Sequence, residues 1–206
     1  MKHLRVVLFT VFALALLLVG RMQAVNGQAP DPKQRETGHQ LMRDGNWKDA
    51  YERLAPLALN PRDDPARVGD DLTSAIQCLY NLGRANEVDA FREKVIAAHG
   101  GNWRLLYAAA ESYINGQHYG FMIAGNFERG SHRGGGKWVN AAERDRVRAL
   151  QILSRGMALL DGAKDDAAHA FLRTLADVLL RGRTGGGSWR LQELTDLAVL
   201  PDVEKG

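Results

Sequence analysis

The residues between Gly125 and Leu150 combine glycines with basic side chains, a composition that could bind a phosphate group or another anion. A phosphate-binding loop of the P-loop type requires Gly, four residues and then Gly-Lys-Ser/Thr. Here Trp138 follows Gly136-Lys137, and Ser131 stands where the first glycine is required. A dinucleotide-binding fingerprint fails as well, because Val139 replaces its third glycine. The segment therefore fits neither nucleotide motif.

Acidic side chains, among them Glu128, Glu143 and Asp145, lower the net positive charge of this stretch. A site for a polyanion is one interpretation of the pattern. We favour the other, in which the arginines lie on a solvated helix face or donate hydrogen bonds to loop carbonyls. If the segment contacts a partner, the residues best placed to do so are Arg129, His132, Arg133, Lys137 and Trp138.

Histidine and carboxylate spacing gives no catalytic or metal motif. The chain has no HExxH, no cysteine cluster and no Gly-x-Ser-x-Gly. His118 and His132 flank the glycine-rich loop, and an enzyme or a metal site that uses both remains an alternative to loop hydrogen bonding. Acidic pairs at 63–64, 70–71 and 165–166 stand at predicted helix starts, where they are expected to act as caps. The sequence thus predicts no catalytic residue, no metal site and no cofactor.

The first 27 residues predict export. A basic start, MKHLR, precedes an uncharged apolar run over Val6–Val19, which is typical of a signal peptide and short for a membrane span. Cleavage after Gly27 would leave an extended linker over 28–36 and a periplasmic or secreted product. An uncleaved segment stays open as the alternative, and it would be the only membrane attachment that we expect.

Charge and cysteine content narrow the possible partners. The formal net charge is +3, but Lys2, Arg5 and Arg21 account for it, because residues 1–27 contain no acid. The rest of the chain is therefore neutral and gives no reason to expect a nucleic-acid partner. Cys78 is the only cysteine and cannot form an internal disulfide; its apolar helical surroundings predict a small buried side chain.

Apolar residues recur at helical spacing through most of the chain, which predicts an all-α domain over 37–206. Helices are expected at 33–44 and 47–59, joined by a tight turn at 44–46. Their small and large residues fall where a tetratricopeptide repeat (TPR) places its packing positions: Gly38, Leu41, Gly45, Trp47, Ala50, Leu54 and Leu57. Neither helix can bury its apolar face alone, so further pairs must stack on the first. The expected architecture is a TPR-like array of antiparallel helix pairs.

The later helices are predicted from caps and apolar stripes. One starts at Asp64-Pro65 and ends at Gly83, and others cover 88–98 and 103–115. A long glycine-rich loop over about 117–139 follows, with a possible small hairpin around Gly125-Asn126. The next helix is predicted to begin at a capping box of Asn140 and Glu143. A further helix is predicted to begin at Asp165 or Asp166, and a short last helix is predicted at 189–198. The four tryptophans are expected to pack against the helices.

Two stretches resemble a known family: GFMIAGNFERGSHRGGGKWVNAAERDRVRALQIL and WRLQELTDLAVLPDVEKG. They are similar to the N-terminal helical, TPR-like region of bacterial, planctomycete-type alpha-macroglobulin family proteins, and the resemblance extends over roughly 37–206. Those proteins are exported and trap or inhibit proteases, and their β-sandwich domains follow the helical region. This chain contains no β-sandwich domain, bait segment or Cys-Gly-Glu-Gln thioester, so no functional residue of the family is carried over.

These observations predict a non-catalytic, exported helical scaffold or protein-interaction module. The resemblance implies that it is the N-terminal part of an alpha-macroglobulin-like protease-inhibitor system, with downstream macroglobulin-type domains or a protein ligand as its partner. The alternative is a stand-alone periplasmic TPR-like adaptor that binds a protein segment or a cell-wall polymer.

Overall fold

A computed structural model describes residues 32–180 and 196–205, most of which are helical. The helices are α1 (Pro32–Arg43), α2 (Trp47–Leu59), α3 (Val68–Asn81), α4 (Val88–Ala98), α5 (Trp103–Ile114), α6 (Ala142–Met157) and α7 (Asp166–Leu180), with a 3-10 turn at Ala85–Glu87. The strands are β1 (Tyr119–Ile123), β2 (Asn126–Arg129), β3 (Lys137–Asn140) and β4 (Glu204–Lys205). The predicted signal peptide lies outside the described residues. So does most of the predicted helix at 189–198, whose last residues, 196–198, are not helical.

Helix bounds agree with the sequence patterns, with differences at two starts. Helix α2 spans the predicted residues, and α1 lies one residue before the helix predicted at 33–44, so it overlaps the end of the linker predicted over 28–36. Helix α3 begins at Val68 and not at Pro65. The backbone amides of Ala66 and Arg67 donate hydrogen bonds to Asp64, so these residues form a turn before the helix can start.

Consecutive helices bury their apolar stripes in one core. Helix α1 packs on α2, α2 on α3, α3 on α5, α5 on α6 and α6 on α7. Gly38 permits the first of these contacts, because a Cβ at this position would stand 2.7 Å from the Leu54 side chain. Cys78 is fully buried, as predicted. The largely helical prediction is confirmed, while the TPR-like arrangement of the pairs stays a prediction.

Three strands between α5 and α6 and the two residues of β4 form a small antiparallel sheet, so the fold is largely helical and not all-α as predicted. The strand order is β2-β1-β3-β4, and the two residues of β4 pair with the end of β3. The hairpin of β1 and β2 is present as predicted, but its turn is Ala124-Gly125, one residue before the predicted Gly125-Asn126, because Asn126 already pairs with Ile123. Both turn residues have positive φ, 47° and 84°, which is typical of a two-residue hairpin turn whose twist matches that of the strands.

Gly120 is the point where the sheet tolerates no side chain. A Cβ here would stand 2.1 Å from the carbonyl oxygen of Glu128 and 2.6 Å from the Phe127 ring. Gly120→Ala is therefore expected to lower the free energy of unfolding by about 1–3 kcal/mol, because a backbone atom cannot yield as a flexible side chain can. Urea denaturation measures the change. Gly135→Ala is the matched control, since its Cβ would meet no atom within 4 Å; equal losses in both variants would contradict the prediction.

A buried cluster of one cation and two carboxylates joins α1 to the start of α3. The Arg35 guanidinium donates to both oxygens of Asp71, at 2.8–3.0 Å, and to both oxygens of Asp63, at 2.7 and 2.8 Å. Both carboxylate side chains are almost inaccessible to solvent, at 1% and 0%. Burial raises the pKa of Asp71 to about 6, against the effect of Arg35, and the adjacent Asp63 adds to the increase.

The raised pKa of Asp71 predicts a pH-dependent stability. Its carboxyl group binds a proton more tightly in the folded chain than in the unfolded one, so its contribution is fully present below pH 4 and is lost as pH rises through about 6. We expect the loss to reach up to about 3 kcal/mol. The measurement is the free energy of unfolding from pH 4 to 7, taken as the difference between wild type and Asp71→Asn. A difference that does not change with pH in this window would contradict the prediction.

Candidate functional site

The two faces of the sheet have different chemistry because side chains alternate along each strand. Gly120, Arg129 and Val139 occupy partnered positions on one side, which we call the inner face. Phe121, Glu128 and Trp138 occupy partnered positions on the other side. The inner face carries a buried ion cluster, and the outer face carries exposed aromatic rings.

Arg129 is the centre of the inner cluster and is only 4% exposed. Its Nη2 and Nη1 donate to the two carboxylate oxygens of Asp145, at 2.7 and 2.8 Å, and its Nε donates to Asp89 at 2.9 Å. Nη1 also donates to the backbone carbonyl of Gln117. One guanidinium thus joins β2 to α4, to α6 and to the segment that enters β1.

Burial alone would lower the pKa of Arg129, but the hydrogen bonds and charge of Asp145 and the charge of Asp89 outweigh it and raise the pKa. The guanidinium is therefore permanently charged. It cannot serve as a proton donor or acceptor near neutral pH, and its role in the cluster is to neutralise two carboxylates.

His118 completes the cluster from the segment before β1. Its Nδ1 lies 2.8 Å from a carboxylate oxygen of Asp145, and its Nε2 lies 3.2 Å from the carbonyl oxygen of Ile114. Both ring nitrogens therefore face oxygen acceptors within the protein. This geometry fixes the ring against α5 and α6, which is the loop hydrogen bonding that the sequence favours for this histidine.

A second ionic layer lies beside the first, between α4, α5 and α6. Arg92 is 1% exposed, and its guanidinium lies 3.7 Å from the centre of the Tyr113 ring, where the cation is attracted to the π face. Glu93 accepts hydrogen bonds from the Tyr113 hydroxyl and from both Nε and Nη2 of Arg148. Burial would raise the pKa of Glu93, but these donors lower it, so the carboxylate stays ionised.

The outer face presents two exposed rings and two half-buried ones. Trp138 is 47% exposed and Tyr119 is 38% exposed. Phe121 is the cross-strand partner of Trp138, and the His132 ring lies 6.1 Å from the Phe121 ring. We call these four residues the outer aromatic face. Exposed aromatic rings in a contiguous group are typical of binding surfaces.

Two exposed cations adjoin the outer aromatic face in the sequence: Arg133 follows His132, and Lys137 precedes Trp138 but occupies an inner-face position opposite Met122. Arg133 and Lys137 are exposed, and within the described part of the chain neither forms an ion pair. Glu128, the cross-strand partner of Phe121, lies on the face itself, and its carboxylate is 3.9 Å from His132. Two exposed cations without an ion pair among the described residues therefore stand next to the face in the sequence, beside the one carboxylate of Glu128.

The structure divides the residues that the sequence selected as contacts. His132 and Trp138 lie in the outer aromatic face, and Arg133 is exposed next to His132 in the chain. Arg129 and Lys137 occupy inner-face positions, where Arg129 is buried and Lys137, at the start of β3, is exposed. The exposure of Trp138 also corrects the expectation that every tryptophan packs inward; Trp47 and Trp103 are half-buried, and Trp189 lies outside the described residues.

Sequence reasoning missed the acids that bind the buried arginines. Asp63 and Asp71 were predicted to cap helices and instead bind Arg35, whereas Asp165 does accept the backbone amide of Ala168 as predicted. The pairing of Asp145 with a buried cation could have been predicted from its position in the sequence. Asp145 occupies the same helical stripe as Ala141 and Ala149, both buried, and a carboxylate at such a position requires a buried cation.

Within residues 32–180 and 196–205, no three His, Cys, Asp or Glu side chains are grouped as a metal site requires. No helix in these ranges is long and apolar enough to cross a membrane. No protein-family model, curated protein or solved structure matches the chain.

Proposed function

We propose that this chain is a non-catalytic protein-interaction module, and that the outer aromatic face is its contact surface. The helices act as a scaffold, and the ion cluster of Arg129 fixes the sheet to them. The observation that carries the proposal is the exposure of Trp138 and Tyr119 on a rigidly held sheet. Large rings lose little conformational entropy on binding and dominate the energetics of many interfaces.

The charges next to the outer aromatic face indicate the kind of partner. Because Arg133 and Lys137 are exposed and have no acidic partner among the described residues, an acidic protein segment would gain favourable electrostatics there. Its apolar side chains would cover Trp138 and Tyr119. Both ring nitrogens of His118, one of the groups nearby best suited to chemistry, face oxygen atoms of the protein, which leaves neither free to act on a substrate and favours binding over catalysis.

The setting that we propose follows from the resemblance to alpha-macroglobulin proteins. In that setting the module is exported and acts in a protease-inhibitor system, and its partner is a segment of the macroglobulin-type domains. The alternative is a periplasmic adaptor for another protein segment or for a cell-wall polymer. The exposed rings of Trp138 and Tyr119 also favour this polymer, because flat rings stack on sugar rings.

A peptide array tests the proposal. It would tile macroglobulin-type domains encoded in the same genome, together with acidic, basic and scrambled sets, and fluorescence polarisation would measure affinity for the best segments. We expect acidic segments to bind, and Trp138→Ala or a paired Arg133→Glu, Lys137→Glu change to weaken binding by about tenfold or more.

Matched controls lie on α7, where Leu179 is 44% exposed and Arg173 is exposed. Leu179→Ala and Arg173→Glu should leave the affinity unchanged. Equal affinity in wild type and Trp138→Ala would reject the outer aromatic face as the contact surface. Binding to insoluble peptidoglycan, lost in Trp138→Ala and without any peptide signal, would support the polymer alternative.

A further inference from the structure

A cavity of about 390 Å³ lies on the inner side of the sheet, away from the outer aromatic face. Its walls carry charges of both signs, from Glu93 on α4, Arg129 on β2, and Arg144, Asp145 and Arg148 on α6. Leu200, from the segment that leads to β4, adds an apolar wall. The volume is in the range of small-molecule sites, which is about 300–1,000 Å³.

Every carboxylate around this cavity already has a cation. Asp145 accepts two hydrogen bonds from Arg129, and Asp89 accepts from Arg129 and from Arg92. Glu93 accepts from Arg148. Three carboxylates are thus satisfied by three guanidinium groups.

Arg144 is the third guanidinium that lines the cavity, after Arg129 and Arg148, and it is the fourth of the wider cluster, because Arg92 lies outside the cavity lining. In residues 32–180 and 196–205 Arg144 forms no hydrogen bond or ion pair, which gives the cluster one excess positive charge. Arg144 also lies in the first turn of α6, where the positive end of the helix dipole disfavours a cation. Arg148 follows one turn later on the same helix face and adds to the repulsion. Because the helix dipole and Arg148 both disfavour an unpaired cation at Arg144, an anion that binds here would offset the excess positive charge.

We propose that Arg144 and the adjoining cavity bind a single carboxylate group. One excess charge matches a monoanion, and the fork of a guanidinium can donate to both oxygens of a carboxylate. A phosphate dianion fits less well, because Asp89, Glu93 and Asp145 stand around the same space and would repel its second charge. The carboxylate could belong to a small organic acid or to a Glu or Asp side chain of a polypeptide. This inference does not depend on the proposed function of the outer face.

Titrations of the full chain with four probes test the proposal: acetate, succinate, inorganic phosphate and the capped peptide acetyl-Gly-Glu-Gly-amide. Ionic strength is held constant with chloride, and arginine Nε–Hε signals in NMR spectra report binding. We expect saturable binding of at least one carboxylate probe, and Arg144→Gln should weaken it by about tenfold or more. Arg144→Lys should retain part of the affinity, and Arg173→Gln, on exposed α7, should retain all of it.

The probes also separate the two sources of the carboxylate. Tighter binding of acetate or succinate than of the peptide assigns the site to a small acid, and the reverse assigns it to a polypeptide side chain. The proposal is overturned if no carboxylate probe saturates, if Arg144→Gln binds as wild type does, or if phosphate binds more tightly than every carboxylate. The denaturation midpoint of Arg144→Gln, which we expect to equal or exceed that of wild type, shows whether a loss of binding reflects unfolding.

Discussion

Replacing Arg129 with methionine is expected to lower the free energy of unfolding by about 3–5 kcal/mol. The change removes the cation from Asp145, which is 1% exposed, and from Asp89, and it removes the donor to the Gln117 carbonyl. An ionised carboxylate cannot stay buried without a partner, so the inner face of the sheet must open to water or Asp145 must take up a proton. Urea denaturation at pH 7, followed by circular dichroism, measures the loss.

Two further variants identify the cause. In the double variant Arg129→Met, Asp145→Asn, the buried charge is also removed, so the combined loss should be smaller than the sum of the two single losses. Arg133→Met, at an exposed arginine four residues away, should change stability by no more than about 0.5 kcal/mol. A loss below about 1 kcal/mol in Arg129→Met would show that the cluster does not hold the sheet to the helices.

The second large effect is expected at Arg35. Arg35→Met leaves the carboxylates of Asp63 and Asp71 together and without a cation, in a place where both side chains are almost inaccessible to solvent. We expect a loss of about 3–5 kcal/mol at pH 7. The loss should be smaller near pH 4, because protonation of Asp71 removes the repulsion between the two carboxylates. Denaturation curves for wild type and variant at both pH values give the comparison.

Asp71→Asn is the variant to compare with Arg35→Met, because it removes one carboxylate and leaves Arg35 paired with Asp63 alone. It should cost no more than about 1 kcal/mol at pH 7, far less than the loss of the arginine, since one cation then faces one carboxylate. Lys48→Met is the control for an exposed pair, with Glu52 at 4.0 Å, and should change stability by about 0.5 kcal/mol or less. Equal losses in Arg35→Met and Asp71→Asn would contradict the assignment of Arg35 as the shared counter-ion.

The helical part of this fold could be predicted from the sequence because its signals are local. Apolar residues repeat at helical spacing, and Gly83 or Asn60 marks where a stripe ends, so α2 was predicted to the residue. The close approach of Gly38 and Leu54 was also foreseeable, since a missing side chain opposite a large one is visible in the pattern. The spacing of apolar residues shows which face of a helix is apolar, and this local pattern is enough to predict where the helix lies in the sequence.

The sheet could be predicted only in part. Its first hairpin has a local signal, a turn beside Gly125. Strand β3 has none, because four residues are too few to show alternation, and its pairing partner lies across a glycine-rich turn. The sequence also indicated His132, Arg133, Lys137 and Trp138 as surface groups, but it did not show that strand alternation places Arg129 and Trp138 on opposite faces of the sheet.

By itself, then, the sequence determined the helical class of the described chain, most helix bounds and the burial of Cys78. Only the tertiary structure decided which charged side chains are buried and which partners they have. Arg35 and Arg129 are ordinary basic residues in the sequence, and each is paired with acids from other elements, from 16 to 40 positions away. A charge can be buried only where the fold brings a counter-charge within hydrogen-bond distance, and that distance is a property of packing, which no local pattern encodes.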